Sequence, residues 1–323
     1  MNKLLTIAIP TYNRKNYLNR AIDSVVSQMD DRVEILVSDN CSEDGTEEFI
    51  KTNYPQVTYY KNEKNVGMEN FQRCYKRANG KFILLLGDDD IVTEGSLKVI
   101  LDFLEDNEDL SLLFLNHTSY YMDYIDVEHC GGSFFDDKMG NFATTDKDRF
   151  INIARHQLTF ISCMVLSKDK YLKVNNPDQY NENWFLQTIV AFKVTEDNNS
   201  KLGIISKVCI AQGVFLGSQS NNMDVQMDVF GICEYDVFCR IGVESGYDKS
   251  TMVKIYGRFI AERWPGLILR YKACGYDWKN AFWKKGYPIV KKLPNAIIPV
   301  LIAAFTPVQL AKIAYYIKKK TRE

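Results

Sequence analysis

The chain has 323 residues, of which 46% are hydrophobic and 25% are charged, so it is long enough to bury one large core or two smaller ones. Its net charge of −1 does not by itself indicate a special partner. The eight cysteines include no CxxC pair and have no histidine at ligand spacing, which argues against a zinc site.

The first third of the sequence alternates predicted strands with predicted helices. Apolar residues recur at helical spacing in residues 18–26, 71–78 and 97–104, whereas the strands are short apolar runs. Such alternation is typical of parallel βαβ units, so we predict a layered α/β fold. The predicted strands are residues 4–9, 33–37, 57–60 and 82–86.

The middle of the chain, residues 116–220, has weaker patterns. We predict strands at residues 110–115 and 160–166 and a helix at residues 184–194. After about residue 222 the pattern is helical, with no repeat and no low-complexity linker.

The C-terminal region is basic and ends in an apolar segment. From Thr251 onward there are 15 basic and three acidic residues, which gives +12 here and −13 in the preceding chain. Residues 296–305 are ten apolar residues that include a proline, too few for the roughly 20 needed to cross a bilayer. With Lys318, Lys319 and Lys320 nearby, they favour a helix lying in a membrane interface; the alternative is a core helix packed on the first domain. The lysines accompany aliphatic runs rather than a nucleic-acid-binding motif, so we expect no nucleic-acid partner.

Four polar loops follow successive predicted strands, and parallel strands bring such loops to one edge of a sheet. One is a run of three aspartates, whose oxygens suit Mg²⁺ or Mn²⁺, although an acidic turn before a helix is the alternative. At this edge an Asp can accept a hydrogen bond from a nucleobase or a ribose, and an Arg and a metal can offset a diphosphate. The loops are Pro10-Thr11-Tyr12-Asn13-Arg14, Asp39-Asn40-Cys41-Ser42, Asn65-Val66-Gly67-Met68 and Asp88-Asp89-Asp90.

As a set, these loops resemble those of the nucleotide-sugar glycosyltransferases of family 2, which have the GT-A fold. The resemblance covers residues 3–110 and includes Ala78-Asn79-Gly80 before the acidic strand. It implies a Rossmann-like, mostly parallel nucleotide-binding sheet flanked by helices, here followed by a helical, basic C-terminal region. The donor-binding residues it implies are Pro10, Thr11, Tyr12, Asn13, Arg14, Asp39, Asn65, Gly67, Asp88 and Asp89.

The acidic loop departs from the family pattern at one position. Gly87 stands where the family usually has its first Asp. The resemblance then places Asp88 near the ribose and makes Asp89 or Asp90 the ligand of a Mn²⁺ or Mg²⁺ cofactor.

The resemblance also implies an inverting transfer that needs a general base. The acceptor hydroxyl loses its proton to this base and attacks the anomeric carbon, while the nucleoside diphosphate leaves. Glu182 is the best-placed candidate for the base, with Asp178 as the second candidate; the alternative for Glu182 is an exposed residue at a helix start. The Gln-x-x-Arg-Trp motif of processive members is incomplete, since Ile260 precedes Arg263-Trp264. We therefore expect the addition of a single sugar.

Two other functions fit parts of the sequence. A nucleotidyltransferase also pairs a nucleotide-binding sheet with metal-binding aspartates, but a glycine-rich loop after the first strand is missing. A GxGxxG motif for a nicotinamide cofactor is missing as well. A non-catalytic nucleotide-binding module at a membrane surface is the other alternative, and the aspartate triplet beside Asp39 argues against it.

The sequence-based prediction is therefore a GT-A domain at residues 1–220, with a donor half (1–110) and an acceptor half (111–220), and a membrane-associating region at residues 221–323. We expect transfer from a UDP-sugar to a lipid-linked saccharide in capsule, lipopolysaccharide or related polysaccharide synthesis. The N-terminus lacks a signal-peptide layout, so we expect a cytoplasmic protein on the inner face of the cell membrane.

Overall fold

The computed structural model describes residues 3–122, 131–214 and 227–320. The chain divides into two compact units, Met1–Leu216 and Gly217–Glu323. The predicted domain boundary between residues 220 and 221 lies outside the described residues.

The described part of the first unit contains one mixed sheet of nine strands with helices between them. The strands are β1 (Leu5–Thr11), β2 (Val33–Asp39), β3 (Thr58–Lys61), β4 (Phe82–Leu85), β5 (Ile91–Val92), β6 (Leu110–Tyr121), β7 (Phe142–Thr144), β8 (Met164–Ser167) and β9 (Lys201–Val214). The helices are α1 (Lys15–Val26), α2 (Thr46–Asn53), α3 (Glu69–Arg77), α4 (Ser96–Asp106), α5 (Lys147–Ala154), α6 (Lys168–Tyr171) and α7 (Leu186–Val194).

The order of the strands creates a natural ligand crevice. The sheet runs β3-β2-β1-β4-β8-β6-β9-β5, with β7 paired to β9. Strands β1 to β4 are parallel, and the chain moves outward from β1 to β3 before it returns to the other side of β1 as β4. Open α/β sheets bind ligands at such a reversal, outside the carboxyl ends of the strands. The loops after β1 and β4 therefore flank the crevice.

Burial on both faces of the sheet explains why the interior strands are almost entirely apolar. All seven residues of β1 and all four of β4 are buried, because helices cover both faces of the sheet. Helix α1 contributes Leu18, Ala21, Ile22 and Val25 to this core at the predicted helical spacing. Each large aliphatic side chain buried in this way contributes about 1.5–3 kcal/mol.

The predicted α/β fold is confirmed, and the differences lie in the middle of the chain. Residues 160–166 do not form one strand: Ile161–Cys163 is a 3₁₀ turn, and β8 starts at Met164. The predicted run 110–115 extends to Tyr121 as β6, which pairs in parallel with the long strand β9. Strand β8 is antiparallel to both β4 and β6, so the sheet is mixed beyond β4.

The described part of the second unit is helical. Helix α8 (residues 228–244) mixes α- and π-helical turns, and α9 (Lys249–Cys274) is capped by Asp248 at its start and by Gly275, with φ +75°, at its end. Helix α10 (residues 279–290) follows, and α11 (Pro294–Phe305) and α12 (Val308–Lys320) both pack on α9. Among the described helices, none is by itself long and apolar enough to cross a membrane; α11 together with Val308–Ile317 passes that test as a pair bent by 108°.

Candidate active site

An arginine links the loop after β1 to the acidic loop after β4. The Nε atom of Arg14 lies 2.9 Å from Oδ1 of Asp88, and its Nη2 lies 2.5 Å from Oδ2 of Asp89. The hydroxyl of Thr11 donates a hydrogen bond to Oδ2 of Asp88 at 2.8 Å. The Asp88 side chain is 10% exposed, and that of Asp89 is 27% exposed. Asp89 is therefore the more accessible of these two carboxylates.

Asp90 is turned into the protein. Its Oδ2 accepts a hydrogen bond from the hydroxyl of Ser162 at 2.5 Å, and its Oδ1 accepts one from the backbone N–H of Gly213 at 3.0 Å. The residue is only 3% exposed. Asp90 thus connects the acidic loop to the 3₁₀ turn before β8 and to the end of β9.

The inward position of Asp90 explains the glycine at position 87. A Cβ atom at Gly87 would lie 2.6 Å from Oδ2 of Asp90 and 3.2 Å from Oδ1 of Asp89. The backbone N–H of Gly87 also donates to the Ser162 hydroxyl at 2.9 Å. A side chain at this position would collide with the hydrogen-bonded carboxylate of Asp90.

Burial changes the titration of the two flanking aspartates. It raises the pKa of Asp88 to about 6, against the opposing effects of the Arg14 charge and the Thr11 hydrogen bond. Burial, with the nearby charge of Asp89, raises the pKa of Asp90 to about 7. An added cation at this edge would favour the ionised carboxylates.

Residues of β6 and β9 also contact the backbone of the acidic loop. The hydroxyl of Tyr120 on β6 donates to the carbonyl oxygen of Asp89 at 2.8 Å. A Cβ atom at Gly213 would lie 2.2 Å from that same oxygen. Tyr120, Ser162 and Gly213 each come from a distant strand or turn and belong to no local motif, so no sequence pattern points to them.

Asp39 lies at the carboxyl end of β2, opposite Thr11 of β1, and is completely buried. Its Oδ1 accepts a hydrogen bond from the N–H of Ser42 at 2.8 Å, and its Oδ2 accepts one from the hydroxyl of Tyr59 at 2.5 Å. These bonds fix the carboxylate at the end of β2 and give each of its oxygens an internal donor, so a nucleobase would reach Asp39 only after the loop after β2 moved.

Asn40 organises the loop at residues 65–67. Its Nδ2 donates to Oδ1 of Asn65 at 2.8 Å, and its Oδ1 accepts from the N–H of Val66 at 2.9 Å. Gly67 has φ +58°, a conformation that favours glycine. The Asn-x-Gly pattern is thus explained by a tight turn tied to the loop after β2.

The loop at residues 10–14 is also joined to the loop after β2. Asn13, with φ +53°, donates from its N–H to the Ser42 hydroxyl and accepts from the N–H of Glu43, both at 2.8 Å. Pro10 is part of β1, and Tyr12 is 43% exposed. Hydrogen bonds and ion pairs thus join the loops after β1, β2, β3 and β4 into one edge.

Glu182, the candidate base, lies on an exposed turn between the 3₁₀ turn Pro177–Tyr180 and α7. The structure gives its carboxylate no hydrogen bond or ion pair with another described residue. Asp178, the second candidate, forms an ion pair with Lys76 of α3 at 2.7 Å. Helix α7 is anchored through Gln187, which donates to the carbonyl of Thr159 at 2.8 Å.

The acidic loop fits a cation that a substrate helps to coordinate. Within the described ranges, no three His, Cys, Asp or Glu side chains form a metal-binding group. Mg²⁺ is usually bound through one or two carboxylates together with substrate phosphates rather than in a cage made by protein alone. Asp89, with Asp88 beside it, offers such a partial set of hard oxygen ligands.

Comparisons with known proteins show what the first unit is similar to. The model of "Glycosyl transferase family 2" matches residues 6–152. The chain is 28% identical to the abequosyltransferase RfbV of Salmonella typhimurium over 217 residues, 63% of this chain and 65% of that protein. It is 34% identical over 118 residues to the uncharacterized glycosyltransferase MJ1057 of Methanocaldococcus jannaschii, 34% of this chain and 40% of that protein. The alignments thus span less than two thirds of these relatives.

Solved structures show the same fold at low sequence identity. S. aureus TarS 1–349 superposes with a TM-score of 0.59 and 14% identity, covering 98% of this chain and 92% of that one. TarS 1–349 in complex with UDP-GlcNAc superposes with a TM-score of 0.60 and 15% identity, with the same coverage.

Proposed function

We propose that this chain is a glycosyltransferase that moves one sugar from a nucleotide diphosphate sugar to an acceptor hydroxyl, which the match of residues 6–152 to the model of glycosyl transferase family 2 supports. The observation that carries the proposal is the Arg14 bridge to Asp88 and Asp89 at the strand reversal, beside the buried Asp39. A charged diphosphate needs positive charge beside it, which Arg14 can supply. A metal ion that adds to this charge needs carboxylates to hold it, which Asp88 and Asp89 can supply.

UDP is the donor nucleotide that the arrangement favours. The carboxylate of Asp39 would accept a hydrogen bond from the imide N–H of uracil, and a thymine base presents the same edge. The similarity to TarS, which was solved with UDP-GlcNAc, supports a uridine nucleotide. The loop at residues 65–67 is tied to the loop after β2 by the hydrogen bond between Asn40 and Asn65.

In the proposed mechanism Asp89 would hold a Mn²⁺ or Mg²⁺, which would supply charge that offsets the leaving diphosphate. Asp88 would lie near the ribose, and the guanidinium of Arg14 would help to offset the charge of the diphosphate. Glu182 accepts the proton of the acceptor hydroxyl, whose oxygen then bonds to the anomeric carbon as the bond to the diphosphate breaks. Attack from the face opposite the leaving group inverts the anomeric configuration.

We further propose that the acceptor is a lipid-linked saccharide of a surface polysaccharide and that the enzyme is peripheral to the inner face of the cell membrane. The similarity to an abequosyltransferase supports a role in polysaccharide synthesis. The basic C-terminal region supports a location at an anionic surface.

Calorimetry with UDP in the presence and absence of Mn²⁺ tests the donor site. We expect Mn²⁺ to strengthen UDP binding at least about tenfold, as metal coordination of a diphosphate requires. Asp89→Asn should remove this gain and retain the fold. Asp90→Asn is the matched control: the geometry places Asp90 among internal hydrogen bonds, so its replacement should lower the melting temperature more than it weakens the metal effect. UDP binding that does not respond to metal would refute the metal-dependent mechanism.

A donor panel then tests the reaction. Purified protein should hydrolyse one nucleotide sugar faster than the others, and Asp89→Asn should slow this hydrolysis about 10²–10³-fold, the range for removing one preorganised electrostatic contact. Cleavage of a nucleoside triphosphate with release of pyrophosphate would instead indicate the nucleotidyltransferase alternative.

A further inference from the structure

Helices α11 and α12 expose an unusual number of large apolar side chains. Eight of them have exposed fractions between 47% and 72%. Exposed apolar patches of this kind mark sites of interaction with proteins or membranes. We call this surface the apolar face; it consists of Ile298, Ile302 and Phe305 on α11, and Val308, Leu310, Ile313, Tyr316 and Ile317 on α12.

The bend between the two helices is built into the unit. Lys272 of α9 is 6% exposed, and its ammonium group donates hydrogen bonds to the carbonyls of Ala303, Ala304 and Thr306 at 2.6–2.9 Å. These carbonyls lie at the end of α11, where a helix leaves acceptors without partners. Lys272 therefore caps α11 and stabilises the 108° bend that leads into α12.

The surroundings of the apolar face carry positive charge. Between Asp277 and Glu323 the sequence has ten Lys and Arg residues and no acidic residue. Lys312 is exposed on α12, and three consecutive lysines follow at residues 318–320. Such residues attract anionic lipid headgroups, each contributing about 1 kcal/mol near the surface.

Aromatic residues border the same face. The ring of Trp283 lies 5.8 Å from that of Phe305 and is 38% exposed, and Tyr316 is 63% exposed. Tryptophan and tyrosine are enriched at membrane interfaces because one end of each side chain is apolar and the other is polar.

We propose that the apolar face of α11 and α12 docks into the headgroup region of an anionic bilayer. The apolar side chains enter the boundary with the acyl chains, and the lysines contact the headgroups. The positive charge favours a lipid surface over a second copy of this basic region, which would be repelled. This inference deepens the proposed function, since it names the surface that would bring the enzyme to a lipid-linked acceptor.

Flotation with vesicles tests the proposal on the full-length protein. Vesicles of equal parts phosphatidylglycerol and phosphatidylcholine should bind the chain at least about tenfold more strongly than pure phosphatidylcholine. Ile302→Asp and Phe305→Asp should each reduce binding to the anionic vesicles about tenfold or more, because each places a charge in the apolar layer. Leu172→Asp is the matched control: Leu172 is 65% exposed in the first unit, and its replacement should leave vesicle binding unchanged.

The charge contribution is tested separately. Replacing Lys312, Lys318, Lys319 and Lys320 by Gln should weaken binding and reduce its dependence on salt, whereas Lys249→Gln on α9 should not. Equal flotation of wild type and Phe305→Asp would overturn the proposal. So would a loss of self-association, rather than of vesicle binding, in that variant.

The failure of this inference can be distinguished from the failure of the proposed function. UDP calorimetry needs no vesicles, and vesicle flotation needs no donor. Phe305→Asp should bind UDP as wild type does, while Asp89→Asn should float with anionic vesicles as wild type does.

Discussion

At the scale of single residues, the three aspartates after β4 have different environments despite their identical chemistry. Asp89 is the most accessible of the three, although half-buried, and forms an ion pair with Arg14, whereas Asp90 is bound by Ser162 and Gly213 inside the protein. Asp88 lies between these extremes. Asp89 is thus the accessible carboxylate, and Asp90 links the acidic loop to the turn before β8 and to the end of β9.

Glu182→Gln tests the candidate base at this scale. The substitution keeps the shape of the side chain but removes its ability to accept a proton, so transfer should slow about 10²–10⁴-fold while UDP binding is unchanged. Steady-state kinetics measure the rate of transfer, and calorimetry measures the affinity for UDP. Asp178→Asn is the control, since Asp178 forms an ion pair with Lys76 and should be dispensable for transfer. Normal turnover of Glu182→Gln would remove this residue from the mechanism.

Glu234 provides a second prediction for a single residue. It is 1% exposed in α8, and burial raises its pKa to about 8, although Arg263 and a hydrogen bond with Tyr256 oppose the shift. The folded state then holds a proton that the unfolded state releases above its ordinary pKa of 4.5. The free energy of unfolding should therefore fall as the pH rises from about 4.5 to about 8, and level off above that.

Glu234→Gln should remove most of this pH dependence and raise stability at pH 8 by a few kcal/mol, since it mimics the protonated acid without its titration. Urea unfolding followed by tryptophan fluorescence measures the effect, because Trp264, Trp278 and Trp283 all belong to the second unit. An unchanged pH profile in this variant would contradict the assignment.

At the scale of elements, the end of β9 determines where the acidic loop lies. Gly213 approaches the carbonyl of Asp89 so closely that a Cβ atom added to it would clash with the carbonyl oxygen. The hydroxyl of Tyr120 on β6 donates a hydrogen bond to the same oxygen. Two strands from the second half of the unit thus support a loop that belongs to the first half. The pairing of β6 with β9 is therefore part of the geometry of the site.

Gly213→Ala should disturb this support. The added methyl group also approaches the sulfur of Met122 to 2.7 Å, so the strand must shift, at a cost of about 1–3 kcal/mol. Thermal unfolding and UDP calorimetry should show lower stability and weaker metal-dependent binding. Gly132→Ala is the control, because no atom of the described residues lies within 4 Å of its Cβ position and the variant should behave as wild type. Equal stability of the two variants would show that β9 does not constrain the loop.

At the scale of the whole molecule, the two units carry opposite charge and different surfaces. The first unit holds the candidate donor site, and the second carries the apolar face and the excess of basic residues. Under the proposed function, this division would separate the chemistry of the donor from the location of the acceptor. Donor hydrolysis and access to the acceptor should therefore respond to different variables, and only access to the acceptor should respond to the lipid surface.

Donor hydrolysis and transfer to a membrane acceptor should accordingly differ in their response to lipid. Transfer to a lipid-linked saccharide in vesicles should rise at least about tenfold with phosphatidylglycerol, because docking raises the effective concentration of the acceptor. Hydrolysis of the donor by water should be indifferent to the vesicles. Parallel rate measurements over a range of lipid composition give the comparison, and an equal response of both reactions would contradict this division.

The α/β fold and the meeting of four polar loops at one edge of the sheet were predictable from the sequence alone. The alternation of apolar strands with helical stripes predicts the α/β fold, because burial on both faces leaves a strand no polar positions. The polar residues of the first four loops stand directly after their strands, so their meeting at one edge follows from parallel pairing. These are local patterns, and local patterns can be read along a chain.

Only the tertiary structure separated the members of the acidic triplet. Asp88, Asp89 and Asp90 are equivalent in sequence, and what distinguishes them comes from Arg14, Ser162 and Gly213, up to 123 residues away. The apolar segment at residues 296–305 is a similar case, since its composition fits both a core helix and an interfacial one. Burial of Ala296, Val300, Ala303 and Ala304, with Ile298, Ile302 and Phe305 left exposed, is set by packing on α9. Long-range contacts of this kind leave no trace in the local pattern, so the fold had to place them.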